Sequence, residues 1–178
     1  MGHPVLRVKA QDVGDPSNPR VLQLVDDLVE TMIDADGAGL AAPQVHVPLR
    51  VVIFQVTAGR GEDEEVEVPL TVLVNPVIEE LETEKTYDWE ACLSVPGLTG
   101  MVPRSSKIRY RGVTPDGTKI ERTAEGFHAR VVQHECDHLD GVLYPQRMDD
   151  VSLLMFREEL RNGIPDAARR LMECSDAE

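Results

Sequence analysis

The sequence predicts an α+β fold: antiparallel sheets packed around a central helix that carries a metal-binding HExxH motif, with one helix near the N-terminus and one near the C-terminus. Three observations predict it. Short runs rich in β-branched residues recur within residues 50–123. The HExxH motif at residues 134–138 falls in a late segment with helical periodicity. Amphipathic segments with that same periodicity precede the first strand-like run and follow the motif.

The chain has 178 residues and a formal net charge of −14, from 18 basic and 32 acidic residues. We expect a single domain spanning residues 1–178, because no linker long enough to separate two domains is visible. The charge argues against a nucleic-acid surface, and no apolar run approaches the roughly 18 residues of a membrane helix. The N-terminus lacks a signal-peptide pattern and three scattered cysteines suggest no disulfide framework, so we expect a cytoplasmic protein.

The first helix is predicted to begin after Asn18 and to end near residues 36–37. Asn18 is a suitable N-cap, and Pro19 suits the first helical position. The apolar residues that recur three and four positions apart are Leu22, Val25, Leu28, Val29, Met32 and Ile33.

Strands are predicted at residues 50–56 and 71–78, joined by a solvated acidic loop at residues 62–67. A further extended segment covers residues 82–87. The turn signal Thr-Pro-Asp-Gly at residues 114–117 predicts a hairpin between strands at 107–111 and 118–123.

The motif helix is predicted to span residues 125–139 and to end at Asp140-Gly141, with the glycine as its C-cap. A last helix is predicted at residues 151–161, followed by a short helical tail at 167–173. The apolar side chains of that last helix that we expect to face the body of the protein are Leu153, Leu154, Phe156 and Leu160.

The motif itself indicates a metal site. Successive helical residues turn by about 100°, so His134 and His138 project from one face and can reach a single ion. Glu135 flanks that face, close enough to contact a water on the ion without being a ligand. Cys136 points to nearly the opposite side. The pattern is short, however, and a helix with two ordinary histidines is the alternative.

The surroundings favour the metal. Phe127 and Val131 lie in line with His134, seven and three residues before it, so this helix face is expected to be buried. A buried imidazole without a partner costs about 1–3 kcal/mol, which a metal ion or a hydrogen bond would remove.

Two histidines leave a tetrahedral site one protein ligand short. A metzincin would place a third histidine where this chain has Tyr144, so that class is excluded. A gluzincin would use a later glutamate, and Glu158 or Glu159 stands at a suitable distance, although both are expected on a solvated helix face. The remaining donor is Cys92, whose alternative is a small buried apolar residue.

Three segments resemble the three motifs of the peptide deformylases in order and spacing. Residues 37–44 read GAGLAAPQ, residues 90–94 read EACLS and residues 133–138 read QHECDH, against the family patterns GxGLAAxQ, EGCLS and QHExDH. Residues 4–7 and 102–104 also resemble the family, so the likeness extends over nearly the whole chain.

The resemblance implies one catalytic domain that removes the N-formyl group from formylmethionine at the N-terminus of nascent peptides. By motif position, Cys92, His134 and His138 would hold one divalent ion, Fe²⁺ in the cell, for which Zn²⁺, Ni²⁺ or Co²⁺ can substitute. A metal-bound hydroxide would attack the formyl carbon. Glu135 would act as general base and then as general acid.

The resemblance also implies that the Gln44 amide and the Leu93 backbone N–H stabilise the charge on the formyl oxygen. Gly39 would let the substrate backbone pair with the protein as an added strand. Phe127 and Val131 are candidate walls for the methionine side chain.

Two residues depart from the family pattern. Ala91 replaces a glycine, and a methyl group there would add about 1 kcal/mol of strain if the position had positive φ. Thr99 stands where many bacterial members carry an arginine that contacts substrate.

The implied partner is a formylmethionyl peptide, without nucleic acid or membrane. A transient ribosome contact is the one further partner that the resemblance suggests, although residues 151–161 mix arginines with as many acids. Two other functions remain as alternatives: a zincin-type metallopeptidase, and a non-catalytic module that binds metal or formyl peptides.

Overall fold

The structure is a computed structural model that describes residues 1–57, 67–83 and 85–175. The predicted acidic loop therefore lies outside the described residues, apart from Glu67, which is exposed. The described helices are α1 (Pro19–Asp34), α2 (Gly126–Leu139) and α3 (Asp166–Ser175). The described strands are β1 (Gly39–Ala41), β2 (Val51–Val56), β3 (Val68–Glu80), β4 (Lys85–Cys92), β5 (Val95–Ser105), β6 (Lys107–Val113), β7 (Lys119–Glu125) and β8 (Met155–Phe156).

The strands form two antiparallel sheets, which confirms the predicted α+β class. One sheet has the order β1-β2-β3-β6-β7 and the other the order β4-β5-β8. The predicted hairpin is the β6–β7 pair, in which Lys107 lies opposite Glu125 and Val113 opposite Lys119. In the second sheet, β4 and β5 form a long hairpin that ends next to Cys92.

The larger sheet lies between α1 and α2. Leu28 and Met32 of α1 pack with Ile53 on one side of it. Val132 and Leu139 of α2 belong to a second cluster, whose sheet residues include Phe54 and Tyr110. A third cluster joins the β4-β5-β8 sheet to Ala168 of α3 and to Tyr144 and Met148, which lie between α2 and β8. The motif helix is therefore central, as predicted.

Both helices that the sequence predicted with capping signals are confirmed. The Asn18 side chain accepts a 3.0 Å hydrogen bond from the Arg20 N–H at the start of α1. Helix α2 ends at Leu139, and Gly141 follows with φ of 74°. A Cβ at Gly141 would lie 2.7 Å from the backbone of Arg7, so both the dihedral angle and the space require glycine.

The predicted helix at residues 151–161 is wrong. The segment consists of a 3₁₀ turn (Val151–Leu153), strand β8 and a second 3₁₀ turn (Arg157–Asn162). Its backbone pairs with the edge of β5, where Leu98 lies opposite Phe156. Successive side chains of a strand point to opposite faces, and Phe156 of β8 is 66% exposed rather than facing the body. Leu153, in the preceding 3₁₀ turn, is buried as predicted.

The C-terminal helix is instead α3, at the place of the predicted helical tail. Among the described residues, no helix combines the length and the apolar character needed to cross a membrane.

Candidate active site

Three donor atoms from two parts of the chain converge next to α2. Cys92 is the last residue of β4, and His134 and His138 lie one turn apart on α2. The three side chains offer one donor atom each, all within 4.8 Å of one another. The Sγ of Cys92 lies 3.3 Å from Nε2 of His138.

His134 is oriented from behind by a carboxylate. Its Nδ1 lies 2.8 Å from Oε2 of Glu90, so Nε2 is the ring nitrogen that faces Cys92 and His138. Burial opposes a charge on this ring, but hydrogen bonds with Cys92 and Glu90 raise the His134 pKa well above its ordinary value. Burial, followed by the charge of His134, lowers the pKa of His138 to about 3. His138 is therefore a neutral imidazole, the form that binds metals.

Glu90 is the centre of a buried network, which we call the Glu90 cluster: Glu90, Arg104, Arg130 and Asp137. Arg104 contacts both oxygens of Glu90, at 2.8 and 2.9 Å, and Arg130 contacts Oε1 at 3.0 Å. Arg104 also donates to Asp137, which in turn accepts from the half-exposed Arg147. Burial alone would raise the Glu90 pKa, but Arg104 and His134 hold it well below its ordinary value.

Glu135 has a different environment. It is buried, and its Oε2 has no hydrogen-bond partner among the described residues. Burial raises its pKa to about 7. A Cβ at Gly39 would lie 2.6 Å from Oε1 of Glu135, so the glycine of β1 also gives this carboxyl its space.

Gln44 brings an amide to the same place. Its Oε1 accepts a 2.8 Å hydrogen bond from the Ala41 N–H, which fixes the orientation of the amide. Its Nε2 then points towards β4, 3.3 Å from Ser94 Oγ and 3.8 Å from Cys92 Sγ.

Gln44, Cys92, His134 and Glu135 line one cavity of about 550 Å³, a volume within the usual range for small-ligand sites, and His138 lies behind Cys92. Leu93 lies in the turn between β4 and β5, and its side chain is 49% exposed. Phe127 and Val131 form part of the apolar lining. The structure thus brings together all nine residues that the sequence singled out: Gly39, Gln44, Cys92, Leu93, Phe127, Val131, His134, Glu135 and His138.

The other candidate ligands lie elsewhere. Glu158 and Glu159 are exposed on the 3₁₀ turn after β8, and Glu159 accepts a hydrogen bond from Asn162. Cys136 is a free thiol buried against the larger sheet, and burial raises its pKa.

The two departures from the family pattern fit without strain. Ala91 lies in β4 opposite Thr99 and is absent from the residues with positive φ, so its methyl group carries no penalty. Thr99 is buried, and its hydroxyl donates to the Glu90 carbonyl.

Sequence reasoning missed the supports behind the donors. Arg104 and Arg130 donate to Glu90, and Asp137 accepts from Arg104. The Gln133 side chain both accepts from and donates to the Ser105 backbone, which ties α2 to β5. Glu90 and Gln133 lie inside the quoted motifs, two residues before Cys92 and one residue before His134. Their polar side chains in apolar segments were the available signal, because a buried polar group needs a partner.

A model of the polypeptide deformylase family matches residues 1–153. The chain belongs to this family. Peptide deformylase 1 of Nitrosomonas europaea is 47% identical over 163 residues, covering 92% of this deformylase and 93% of that protein. Peptide deformylase 1 of Bordetella pertussis is 52% identical over 160 residues, covering 90% and 91%.

Solved structures agree. A class I type b peptide deformylase from Acinetobacter baumannii, bound to Met-Ala-Ser, superposes with a TM-score of 0.77 at 36% identity, covering 83% of this chain and 94% of that chain. The Plasmodium falciparum peptide deformylase superposes with a TM-score of 0.73 at 26% identity, covering 97% of both.

The predicted family, fold class and enzyme class are therefore confirmed. The protein is a deformylase, rather than a zincin-type peptidase or a non-catalytic module. The family implies a divalent metal ion, and the Cys92, His134 and His138 cluster is a group that could hold one.

Proposed function

We propose that this deformylase removes the formyl group from formylmethionine at the N-terminus of nascent peptides, with one divalent ion on Cys92, His134 and His138. The convergence of Gln44 and Glu135 on those three donors carries the proposal. A purely structural metal site has no use for a base and a hydrogen-bond donor beside it.

The donor set fits such an ion. A thiolate and two imidazoles that share a tetrahedral ion lie about 3.5 Å apart, and the 3.3 Å between Cys92 and His138 agrees with that spacing. Glu90 binds the far nitrogen of His134, as an outer carboxylate does behind a ligating histidine. These donors accept several ions. We propose Fe²⁺ as the ion in the cell, with Zn²⁺, Ni²⁺ or Co²⁺ as substitutes.

Glu135 supplies the proton transfers. Cys92, His134 and His138 would hold the divalent ion beside Glu135, where it would act as a Lewis acid and lower the pKa of a water to near neutrality. Glu135 takes the proton of the attacking water and passes it to the departing amine, which must be protonated to leave. A pKa of about 7 suits a group that must accept and then return a proton near neutral pH.

Gln44 and Leu93 stabilise the developing charge on the formyl oxygen. The Gln44 amide is held by Ala41, so its N–H groups stay directed at the cavity beside Cys92. The Leu93 N–H follows Cys92 directly. Losing one such donor typically lowers kcat by about 10²–10³-fold.

The peptide lies between β1 and the β4–β5 hairpin. Gly39 leaves the β1 backbone accessible for pairing, and Phe127 and Val131 provide apolar contacts for the methionine side chain. The bound Met-Ala-Ser of the Acinetobacter baumannii relative supports a tripeptide of this kind as occupant.

Residues 1–178 act as one catalytic domain in the cytoplasm, where nascent chains carry the formyl group. Free thiols at Cys92 and Cys136 agree with a reducing compartment. A ribosome contact stays a prediction: the described α3 has two arginines, Arg169 and Arg170, against Asp166 and Glu173.

The test couples metal analysis to turnover. Protein purified without oxygen is expected to contain one iron per chain and to release formate from formyl-Met-Ala. Cys92→Ser should lose the metal or most of the activity, because thiolate is the strong ligand of the set. Cys136→Ser is the matched control, since that thiol lies on the other side of α2. Full metal content and full rate in Cys92→Ser would contradict the ligand assignment.

A further inference from the structure

We propose that Arg157 binds a carboxylate of the peptide substrate at the edge of the active-site cavity. The carboxylate comes from an acidic side chain just after the formylmethionine or from the C-terminus of a short peptide. The proposal rests on the proposed function, because it assumes that a formyl peptide occupies the cavity.

Few charged side chains line the cavity, and most have partners within the fold. Glu90, His134 and Glu135 belong to the reaction centre described above. Arg130 is buried, and its guanidinium donates to Glu90 and to the carbonyls of Val102 and Thr86, at 2.9–3.0 Å. Its hydrogen-bonding groups are therefore committed to the protein. The other charged residues of the lining are Asp36 and Arg157.

Arg157 is exposed, and within the described part of the chain no side chain forms an ion pair or hydrogen bond with its guanidinium. Its backbone is nevertheless fixed. Arg157 follows β8 directly, and β8 is held by the pairing of Phe156 with Leu98. Leu98 itself lines the cavity. An accessible cation is thus carried to the rim by a strand rather than by a loose tail.

The guanidinium of Arg157 favours a carboxylate as its ligand. A guanidinium presents parallel N–H donors that match the two oxygens of a carboxylate. The chain carries a net charge of −14, so a lone arginine at the rim stands out against a field that repels anions. Asp36 belongs to the segment that leads into β1, whereas Arg157 belongs to the β4-β5-β8 sheet. We expect the substrate carboxylate on the side of that sheet.

Two matched pairs of substrates test the proposal and separate the sources of the carboxylate. The first pair is formyl-Met-Glu-Ser-amide and formyl-Met-Gln-Ser-amide, which differ in one side-chain charge. The second is formyl-Met-Ala-Ser as free acid and as amide. Wild-type kcat/KM should favour the charged member of at least one pair by about two- to five-fold, the range expected of an exposed ion pair.

The matched variants are Arg157→Gln and Arg161→Gln. Arg161 lies on the same 3₁₀ turn and is exposed, but does not line the cavity. The preference should vanish in Arg157→Gln, persist in Arg161→Gln and shrink as salt rises. A wild-type enzyme without preference in either pair would overturn the proposal. So would an Arg157→Gln variant that keeps the preference.

A binding measurement keeps this outcome separate from that of the proposed function. Trp89 is the sole tryptophan of the sequence and lines the cavity, so its fluorescence reports occupancy without turnover. The product peptides form the same two pairs: Met-Glu-Ser-amide with Met-Gln-Ser-amide, and Met-Ala-Ser as free acid with its amide. In at least one pair the charged member should bind wild type more tightly than the neutral one, and both members should bind Arg157→Gln equally. No formate from any peptide, with this difference intact, would count against the proposed function and for Arg157. Formate release without charge-dependent binding in either pair would count for the proposed function and against the role of Arg157.

Discussion

Two buried glutamates flank His134, and their surroundings drive them to opposite protonation behaviour. Glu90 and Glu135 are each 5% exposed. Glu90 accepts from Arg104, Arg130 and His134, and its pKa lies well below the ordinary value. Glu135 has an oxygen without a partner among the described residues, and burial raises its pKa to about 7.

The difference shows that hydrogen-bonding partners, rather than depth of burial, set the pKa values of the two carboxyl groups. Glu90 stays ionised and orients a histidine, because nearby cations compensate its buried charge. The charges of His134 and Arg104 offset the burial of Glu135 only in part, so this carboxyl can exchange a proton near neutral pH. Pairs of acids whose environments separate their pKa values mark acid–base assignments in enzymes.

Glu135→Gln should give the largest effect and tests the acid–base side of the comparison. The amide keeps the shape but cannot accept and return a proton, so kcat should fall by about 10²–10⁴-fold. Metal content should stay at one ion per chain, since Glu135 is not among the donors. Formate release from formyl-Met-Ala measures the rate. Glu158→Gln, on the exposed turn, is the control and should be fully active; an inactive Glu158→Gln would revive the gluzincin assignment.

Glu90→Gln tests the structural side. Removing this charge leaves Arg104 and Arg130 buried with less compensation, and breaking a buried pair costs about 3–5 kcal/mol. The free energy of unfolding in urea should fall by that amount, and a chelator should remove the metal at about tenfold lower concentration. Glu80→Gln, in an exposed pair with Lys85, should change stability by less than about 0.5 kcal/mol. Equal losses in the two variants would refute a special role for Glu90.

The pH dependence of stability should have opposite signs for the two carboxyl groups. The raised pKa of Glu135 means that the metal-free folded state holds a proton that the unfolded chain releases above an ordinary value of 4.5. That stabilisation is complete below pH 4.5 and is lost as the pH rises through about 7. Over this pH range the free energy of unfolding of wild type should fall by about 3 kcal/mol relative to that of Glu135→Gln.

The lowered pKa of Glu90 gives the reverse. The stabilisation by Glu90 is present above the ordinary glutamate pKa and is lost as the pH falls. The difference in the free energy of unfolding between wild type and Glu90→Gln, which we call the gap, should therefore disappear in acid. Urea titrations of metal-free protein at several pH values measure both gaps. Two gaps that change in the same direction would contradict the comparison.

Arg147→Ala should give the smallest effect. Arg147 holds Asp137 at the outer end of the Glu90 cluster, but its side chain is 49% exposed, so solvent screens the pair. We expect a loss of less than about 1 kcal/mol in the free energy of unfolding and little change in kcat. A loss as large as that of Glu90→Gln would show that the cluster depends on its exposed end.

Much of the fold was predictable where local signals agreed. Helix α1 has an N-cap, a proline at its first position and regular apolar spacing, and α2 has the motif spacing and a glycine after its end. The predicted ends of both helices lie within three residues of the observed ones. Each signal acts within a few positions along the chain, so the sequence alone carries it.

Strands β5 and β8 were not predictable in this way. Strand β5 contains Pro96, Gly97, Gly100 and Pro103, which locally favour turns, yet pairing with β4 keeps it extended. Gly100 has a separate reason: a Cβ there would lie 2.6 Å from the Met148 sulfur. Residues 151–161 have a helical apolar pattern, but residues 155–156 pair with the edge of β5 and form strand β8.

The sequence by itself predicted the three candidate metal ligands and the candidate base, because the HExxH spacing places His134, Glu135 and His138 on one helix and the EACLS motif supplies Cys92. Only the tertiary structure decided which glutamate is compensated and which is not. Arg104 and Arg130 come from different elements, and their distance from Glu90 depends on how β5 and α2 pack against β4. Electrostatic environment is set by neighbours in space, and these lie 14 and 40 residues away along the chain.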